Sequence, residues 1–247
     1  MTLKDLLKNT GIIIQARTNS SRFPKKILKK IYGKTVLDFM LKRVNKVNYC
    51  KKILATTKNN SDTILIKIAK KNNFFTFRGK ENDVLSRYYH CAKFYKLKYI
   101  VRLTSDCPLI DPKIITTMLK KFFEKNYDYY SNTTPIELST FPNGSDVEIF
   151  SFKALTKNHK LCQNLNDREH VTNFFFNSKK IFKIGNYISK INYSNIRYTL
   201  DYPQDLTRIR SIYKCLKAKN IFGTTKQIIS IIKDLDSLNG KYPKKKN

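Results

Sequence analysis

An α/β fold built on a mostly parallel sheet follows from three features of this sequence. Short apolar runs alternate with amphipathic segments, and the connections between them are short. Strands joined by crossover helices have that rhythm, because parallel neighbours cannot be linked by tight hairpins. The first run, Gly11-Ile12-Ile13-Ile14, reads as a buried strand and stops at Gln15-Ala16-Arg17. A polar loop follows, with Arg17, Ser20, Ser21, Arg22, Pro24, Lys25 and Lys26. That places cations, hydroxyls and free N–H groups at the carboxyl edge of a sheet, where open α/β folds hold phosphorylated ligands. The loop is neither GxGxxG nor GxxxxGK[ST], so its cations do work that glycine-freed amides do in those loops.

In chain order, 12–15 is a strand and 36–47 a helix with Val36, Phe39, Met40, Val44 and Val47 on one face. Residues 52–57 are a strand, 61–71 a helix with Ile64, Leu65, Ile68 and Ala69 inward, and 74–77 a short strand. A helix is expected over 83–95 and a strand over 99–104. Asp111-Pro112 then supplies an N-cap and a first-turn proline. The helix they open carries Ile114, Ile115, Met118, Leu119, Phe122 and Phe123 as a buried stripe. After Asn132 the rhythm breaks into a long loop at 133–144, a strand at 146–150, a helix at 166–177 and strands at 182–188 and 197–199. A last amphipathic helix starts near Pro203, with Leu206, Ile209, Ile212, Tyr213 and Leu216 inward. No repeat or linker divides the chain. One domain over 11–239 is expected, between an extension at 1–10 and a loose basic tail at 240–247.

Composition narrows the function. Of 247 residues, 41% are hydrophobic and 13% aromatic, enough for a packed globule. The net charge of +31 suggests nucleic acid, but it is spread along the chain and accompanies many Asn, Ile, Tyr and Phe with only 7 Gly, 7 Pro and no Trp. That is the mark of A/T-rich codons more than of a nucleic-acid footprint, which concentrates cations on one helix or arm. Five widely spaced cysteines without a CxxC pair argue against a disulfide framework and a zinc site. Asp5 and Lys8 interrupt any signal-peptide core, and no apolar run approaches a membrane span, so a cytoplasmic protein is expected.

Several acids stand at strand ends. Asp106, in TSDCPLID, leaves the sheet on the same rim as the Arg17–Lys26 loop. A carboxylate beside a cation-lined phosphate pocket suits Mg²⁺, a hard ion that bridges protein oxygens to phosphate. Helix capping is the alternative, although Asp111, directly before Pro112, fits that role better. Asp201, in TLDYPQD, is ligand or cap at a second strand-to-helix junction. Asp146 and Glu148 alternate on one strand face, where they hold sugar hydroxyls or face solvent. Asp167, Arg168, Glu169 and His170 open a helix, and Asp83 and Arg87 have the spacing of an i,i+4 ion pair.

Together these stretches form an ordered set: QARxxSxRxPxK at 15–26, DVLSRY at 83–88, SDCPLIDP at 105–112, FPNGSDVEIF at 141–150, REHVT at 168–172 and TLDYPQDL at 199–206. The set resembles the sugar cytidylyltransferase superfamily of CMP-3-deoxy-manno-octulosonate and CMP-sialate synthetases. It is most similar to the branch called spore-coat polysaccharide biosynthesis protein F. The resemblance spans about 11–216. It implies a Rossmann-like nucleotidyltransferase fold with helices on both faces of the sheet, Mg²⁺ as cofactor, CTP and a sugar or sugar acid as substrates, and a homodimer. By matching position, Gln15, Ala16, Arg17, Ser20, Arg22 and Lys26 would bind the nucleotide, and Asp106 and Asp201 would ligate Mg²⁺. Asp83 and Arg87 would lie near the base or the acceptor; Asp146, Glu148, Arg168, Glu169 and His170 would face the acceptor sugar. Arg17, Lys26 and Asp106 are the expected catalytic residues. A glycosyltransferase using a nucleotide-sugar donor is the alternative, although Asp106-Cys107-Pro108 lacks the second acid of a D-x-D turn. Asn19 and Lys25 stand where the family commonly has glycine, which puts the loop's backbone in question. Thr35 replaces the usual proline after Gly33-Lys34. Nucleotide transfer requires Arg17, Arg22, Lys26, Asp106 and Asp201 to meet at one mouth.

Overall fold

The isoleucine run near the start of the chain lies at the centre of a seven-stranded sheet in the computed structural model, which describes residues 2–178 and 180–239. A short capped helix, α1 (Leu3–Lys8), leads into β1 (Thr10–Gln15). A hairpin follows, β2 (Lys30–Ile31) and β3 (Lys34–Thr35), then α2 (Val36–Val44). The hairpin turn holds Tyr32 and Gly33 at positive φ, which glycine adopts without steric cost. Next come β4 (Lys51–Thr57), α3 (Thr63–Lys71), β5 (Phe75–Gly79), α4 (Val84–Phe94), β6 (Tyr99–Thr104) and α5 (Pro112–Lys125). The second half carries β7 (Tyr129–Ser131), β8 (Glu148–Ser151), α6 (Phe152–Leu161), α7 (Leu165–His170), α8 (Asn173–Asn177) and β9 (Ile184–Asn186). It ends with α9 (Pro203–Ala218) and α10 (Thr225–Asn239).

Strand order is β5-β4-β1-β6-β8-β7-β9. The first four are mutually parallel, β8 runs antiparallel to β6 and β7, and β9 is parallel to β7. Side chains alternate across a strand, so Ile12 and Ile14 enter the core under α2 and α5 while Ile13 enters the core under α4 and α6. That double burial is why β1 is apolar at consecutive positions. A third cluster joins α9 and α10 to the hairpin. Among the described residues, no helix is long and apolar enough to cross a membrane.

Several local expectations need correction. The helix over 166–177 is two helices, broken at Val171, whose φ is 67° and ψ −48°. Thr172 N donates to His170 O across it at 2.7 Å, a γ-turn with positive φ that is strained for a β-branched residue. Residues 197–199 make one isolated bridge, Asn143 with Arg197, instead of a strand. The strand over 182–188 is confined to Ile184–Asn186. The hairpin, β7, α6 and α10 have no counterpart in the sequence reading. The tail at 240–247 lies outside the described residues.

Candidate functional site

From β1 the chain passes to β4 and β5 on one side, then returns to β6 on the other. The carboxyl ends of β1 and β6 therefore part around a crevice, the usual place for a ligand in an open α/β sheet. Gln15 and Thr104 are register partners at that point. A cavity of about 300 Å³ opens there. Gln15, Ala16, Arg17, Ser20, Arg22 and Lys26 line it from the loop after β1, Asp106 from the turn after β6, Arg87 from α4, and Glu169 and His170 from α7.

The loop after β1 is anchored by side chains instead of glycines. Thr18 donates through N and Oγ1 to Asp62 Oδ1 at 2.7 and 2.6 Å, and Thr57 and Thr56 donate to Oδ2 at 2.6 and 3.1 Å. Burial pushes the Asp62 pKa up, but these donors outweigh it and hold the carboxyl below its ordinary 3.8. Lys25 N closes the loop on Thr18 O at 3.0 Å. Lys25 takes the left-handed backbone, at φ 55° and ψ 26°, whereas Asn19 does not. At the other departure from the family pattern, Thr35 caps α2 in a reciprocal box with Asp38.

Lys26, the residue after this left-handed turn, has its Nζ 3.2 Å from Asp106 Oδ2 and 3.2 Å from Asp201 Oδ1. Arg22 Nη2 also reaches Asp201 Oδ1, at 2.6 Å, and Arg197 Nη2 holds Oδ2 at 2.9 Å. Arg17 lies on the same cavity, 3.9 Å from Glu81 and 3.7 Å from Glu169, with a side chain exposed enough to swing. All five groups border or contact one mouth. The choice between cap and site also resolves. Asp111 accepts from Lys113 N at 2.9 Å and Asp205 accepts from Tyr202 N at 2.8 Å, so these acids serve the starts of α5 and α9. Asp106 and Asp201 are left facing the cations. Burial opposes charge on Asp106, yet the Lys26 ammonium holds its carboxyl below the ordinary value. For a divalent ion the donor set is suitable: two carboxylates already share one positive centre. Among the described residues no group of three or more His, Cys, Asp or Glu could hold a metal. Further ligands would come from phosphate and water.

Five expected site residues stand outside the cavity lining, and of these Asp201 meets it through Lys26 and Arg22. Asp83 caps α4 through Ser86 N at 2.9 Å and pairs with Arg168 Nη2 at 2.9 Å. Arg168 also donates to Cys162 O at 2.8 Å and His159 O at 3.2 Å, so its guanidinium ties α7 to α4 and α6 instead of facing a sugar. The Asp83–Arg87 pair does not form. Arg87 donates instead to Lys80 O and Glu81 O, at 3.0 and 2.8 Å, because its side chain packs across Gly79. Glu148 is buried, accepting from Arg102, the Tyr129 hydroxyl and Thr172 Oγ1. Asp146 accepts from Thr133 Oγ1 and Gly144 N, each at 2.8 Å, while burial lifts its pKa above the ordinary value. Conversely, Arg102 lines the cavity without belonging to any motif. Its signal is a lone charge inside the apolar strand YIVRLT.

The family model described as Cytidylyltransferase matches residues 11–235. An uncharacterized protein of Methanocaldococcus jannaschii is 33% identical over 224 residues, 89% of this chain and 88% of its own. Spore coat polysaccharide biosynthesis protein SpsF of Bacillus subtilis is 28% identical across 82% of this chain and 85% of its own length. A solved cytidylyltransferase from Leptospira borgpetersenii has a TM-score of 0.89 at 33% identity, covering 96% of this chain and 99% of that one.

Proposed function

The chain belongs to the cytidylyltransferase family, and we propose that it transfers a cytidylyl group from CTP to a sugar or sugar acid, releasing pyrophosphate. The product is an activated sugar for surface polysaccharide, a reading supported by the name of its Bacillus relative. An acceptor hydroxyl oxygen attacks the α-phosphorus in line, releasing its proton to solvent, while the bond to the β-phosphate oxygen breaks. Arg17, Arg22 and Lys26 meet the departing pyrophosphate with charge-assisted hydrogen bonds, and Ser20 adds a hydroxyl. Gln15, Ala16 and Arg87 shape the nucleotide side, and Glu169 and His170 face the acceptor. Asp83 and Arg168 act behind them by fixing α7 against α4. Asp106 and Asp201 would hold Mg²⁺, which would supply positive charge to offset the phosphates. The observation that carries this reading is the Lys26 ammonium held between Asp106 and Asp201 at 3.2 Å from each. A CTP-dependent reaction fits a cytoplasmic location, and the reading includes a homodimer, by resemblance to the family, which sedimentation measures.

The test is pyrophosphate release from CTP, UTP, ATP or GTP against a panel of keto-sugar acids and sugar phosphates with Mg²⁺. Acceptor-dependent release from CTP is expected. Nucleotide release from a sugar-nucleotide donor, with none of this activity, makes the chain a glycosyltransferase and rejects the proposal.

A further inference from the structure

A second cavity, of about 320 Å³, opens between the β2–β3 hairpin, α2 and the turn from α9 to α10. It shares no lining residue with the crevice at β1 and β6. Its floor is apolar. Phe39 of α2 and Tyr213 of α9 pack with ring centroids 4.4 Å apart, and the Tyr213 hydroxyl is already given to Pro108 O at 3.0 Å. Two further rings border the opening, Tyr32 at 54% exposed and Phe222 at 46%. Single exposed rings are ordinary, but two on one concavity offer their faces to a flat ligand. Both are held in place. Arg43 donates to Phe222 O and Gly223 O at 2.7 and 2.5 Å, with its guanidinium 4.4 Å from the Phe222 ring. Lys217 Nζ lies 4.9 Å from the centre of the Tyr32 ring.

Three ammoniums rim this apolar floor: Lys34 of β3, Lys42 of α2 and Lys217 of α9. Among the described residues none of them is in an ion pair with a carboxylate. Asp38, one turn before Lys42, is committed elsewhere. Its Oδ2 accepts from Thr35 N and Oγ1 at 3.0 and 2.6 Å, and its Oδ1 accepts from Asn72 Nδ2 at 2.8 Å. Lys34 holds the Lys42 ammonium below its ordinary 10.5, through their side-chain contact first and burial second. Like charges this close repel, and an anion set between them removes the repulsion. A phosphate suits the place, because its oxygens accept from two ammoniums at once. A second copy of this chain is a poor occupant: with 49 basic residues against 18 acidic ones, it brings more positive charge to a positive rim.

We propose that this cavity binds a small phosphate ester carrying a flat ring, the ring against Tyr32 and Phe222 and the phosphate between Lys34 and Lys42. That chemistry belongs to a nucleotide, free or at the end of a strand. The volume is at the small end of pockets that hold single molecules, whereas a strand follows an extended groove, so the free molecule is the occupant. The site stands whether or not CTP is the substrate at the crevice.

The probe is 1-naphthyl phosphate, titrated into the full chain and followed by fluorescence anisotropy; the sequence has no tryptophan to obscure it. The wild type should bind it saturably, with a dissociation constant below about 1 mM. Inorganic phosphate and 1-naphthol, each one half of the ligand, should bind at least about tenfold more weakly. Lys42→Gln removes one ammonium and Tyr32→Asn one ring, and each should weaken the probe about tenfold. Both positions are exposed, and asparagine accepts the left-handed backbone of residue 32 (φ 47°), so these variants should fold, as circular dichroism checks. Arg22→Gln, at the crevice, should change the affinity by less than about twofold, since no phosphate contact is lost. AMP should displace the probe, and a 5′-phosphorylated oligoadenylate should do so no better than AMP. Absence of saturable binding, or affinity untouched by Lys42→Gln and Tyr32→Asn, overturns the inference. So does a loss confined to Arg22→Gln, which puts the probe in the crevice. Displacement that strengthens with strand length makes the face a nucleic-acid surface and rejects the small ligand. A change in sedimentation of Tyr32→Asn without a change in probe affinity assigns the cavity to a second copy and rejects it as well.

Discussion

An ammonium 3.2 Å from two carboxylates is a modest hydrogen-bond donor to each and a strong electrostatic partner to both. Lys26 therefore holds Asp106 and Asp201 together until a ligand arrives. Asp106→Asn keeps the shape and removes one charge. Its kcat for pyrophosphate formation should fall at least ~100-fold, in line with the loss of one preorganised electrostatic group. Unchanged turnover, in a variant with wild-type circular dichroism, rejects a role for Asp106 in the reaction. The left-handed residue beside Lys26 gives a stability prediction. A non-glycine residue there is strained by ~1–2 kcal/mol, partly offset because glycine loses more entropy on folding. Lys25→Gly should raise the urea midpoint by up to ~1 kcal/mol equivalent; a lower midpoint contradicts the strain assignment. Residues of this kind were legible because strand ends are. A polar turn after an apolar run announces the carboxyl rim of a sheet. Arg102 was not legible as a site residue, since its pairing with Glu148 spans 46 residues and no local pattern encodes it. Arg168 misled for the same reason. Its partner, Asp83, is 85 residues away, and what looked like a sugar contact is a strut.

The loop after β1 depends on β4 and α3 through Asp62, which is 1% exposed and gathers four donors. Folding lowers its pKa, so its contribution is complete above the ordinary value of 3.8 and is lost as pH falls below that through the folded value. Asp62→Asn cannot accept the same bonds and should cost ~1–3 kcal/mol near neutral pH. The variant should also flatten the acid limb of a stability–pH curve below about pH 4. An unaltered acid limb removes Asp62 from the account. On the same side of the sheet, Arg43 of α2 donates to Ile110 O at 2.6 Å and to Phe222 O at 2.7 Å, with its guanidinium 4.4 Å from the Phe222 ring. Arg43→Ala leaves buried carbonyls unpaired and should destabilise by ~2–4 kcal/mol, read from denaturant unfolding. The helices over 36–47, 61–71 and the one begun by Asp111-Pro112 were readable because their apolar stripes face a sheet at a constant period. α10 has a stripe too, Ile228, Ile231 and Ile232, but it packs on α9 outside the strand–helix rhythm and found no slot in it. β7 has three residues and β2 and β3 two each, too short for any period to show. The break at Val171 obeys no local rule. Asn158 Nδ2 donates to Val171 O at 2.9 Å and Thr172 is tied to Glu148, so tertiary bonds impose the turn.

A chain of net charge +31 attracts any polyanion at long range. On the proposed function that field serves encounter more than recognition, which falls to the five groups at the mouth. The association rate of CTP should fall several-fold as salt rises from ~50 to ~500 mM, with kcat nearly unchanged, as screening shortens the Debye length. Stopped-flow with a fluorescent CTP analogue measures it, and a salt-independent rate refutes steering. The same field without a concentrated cationic stripe predicts a shallow salt slope for RNA or DNA binding. The reversal of strand order at β1 has a further consequence. Arg17, Ser20, Arg22 and Lys26 arrive from the parallel half of the sheet, while α7 brings Glu169 and His170 in from the antiparallel half. The two suppliers are joined behind the opening by the Asp83–Arg168 and Arg102–Glu148 pairs, so they can drift at different speeds in evolution as long as those pairs are kept. A graft of residues 146–177 from another branch should transplant sugar preference while the nucleotide end stays as it was.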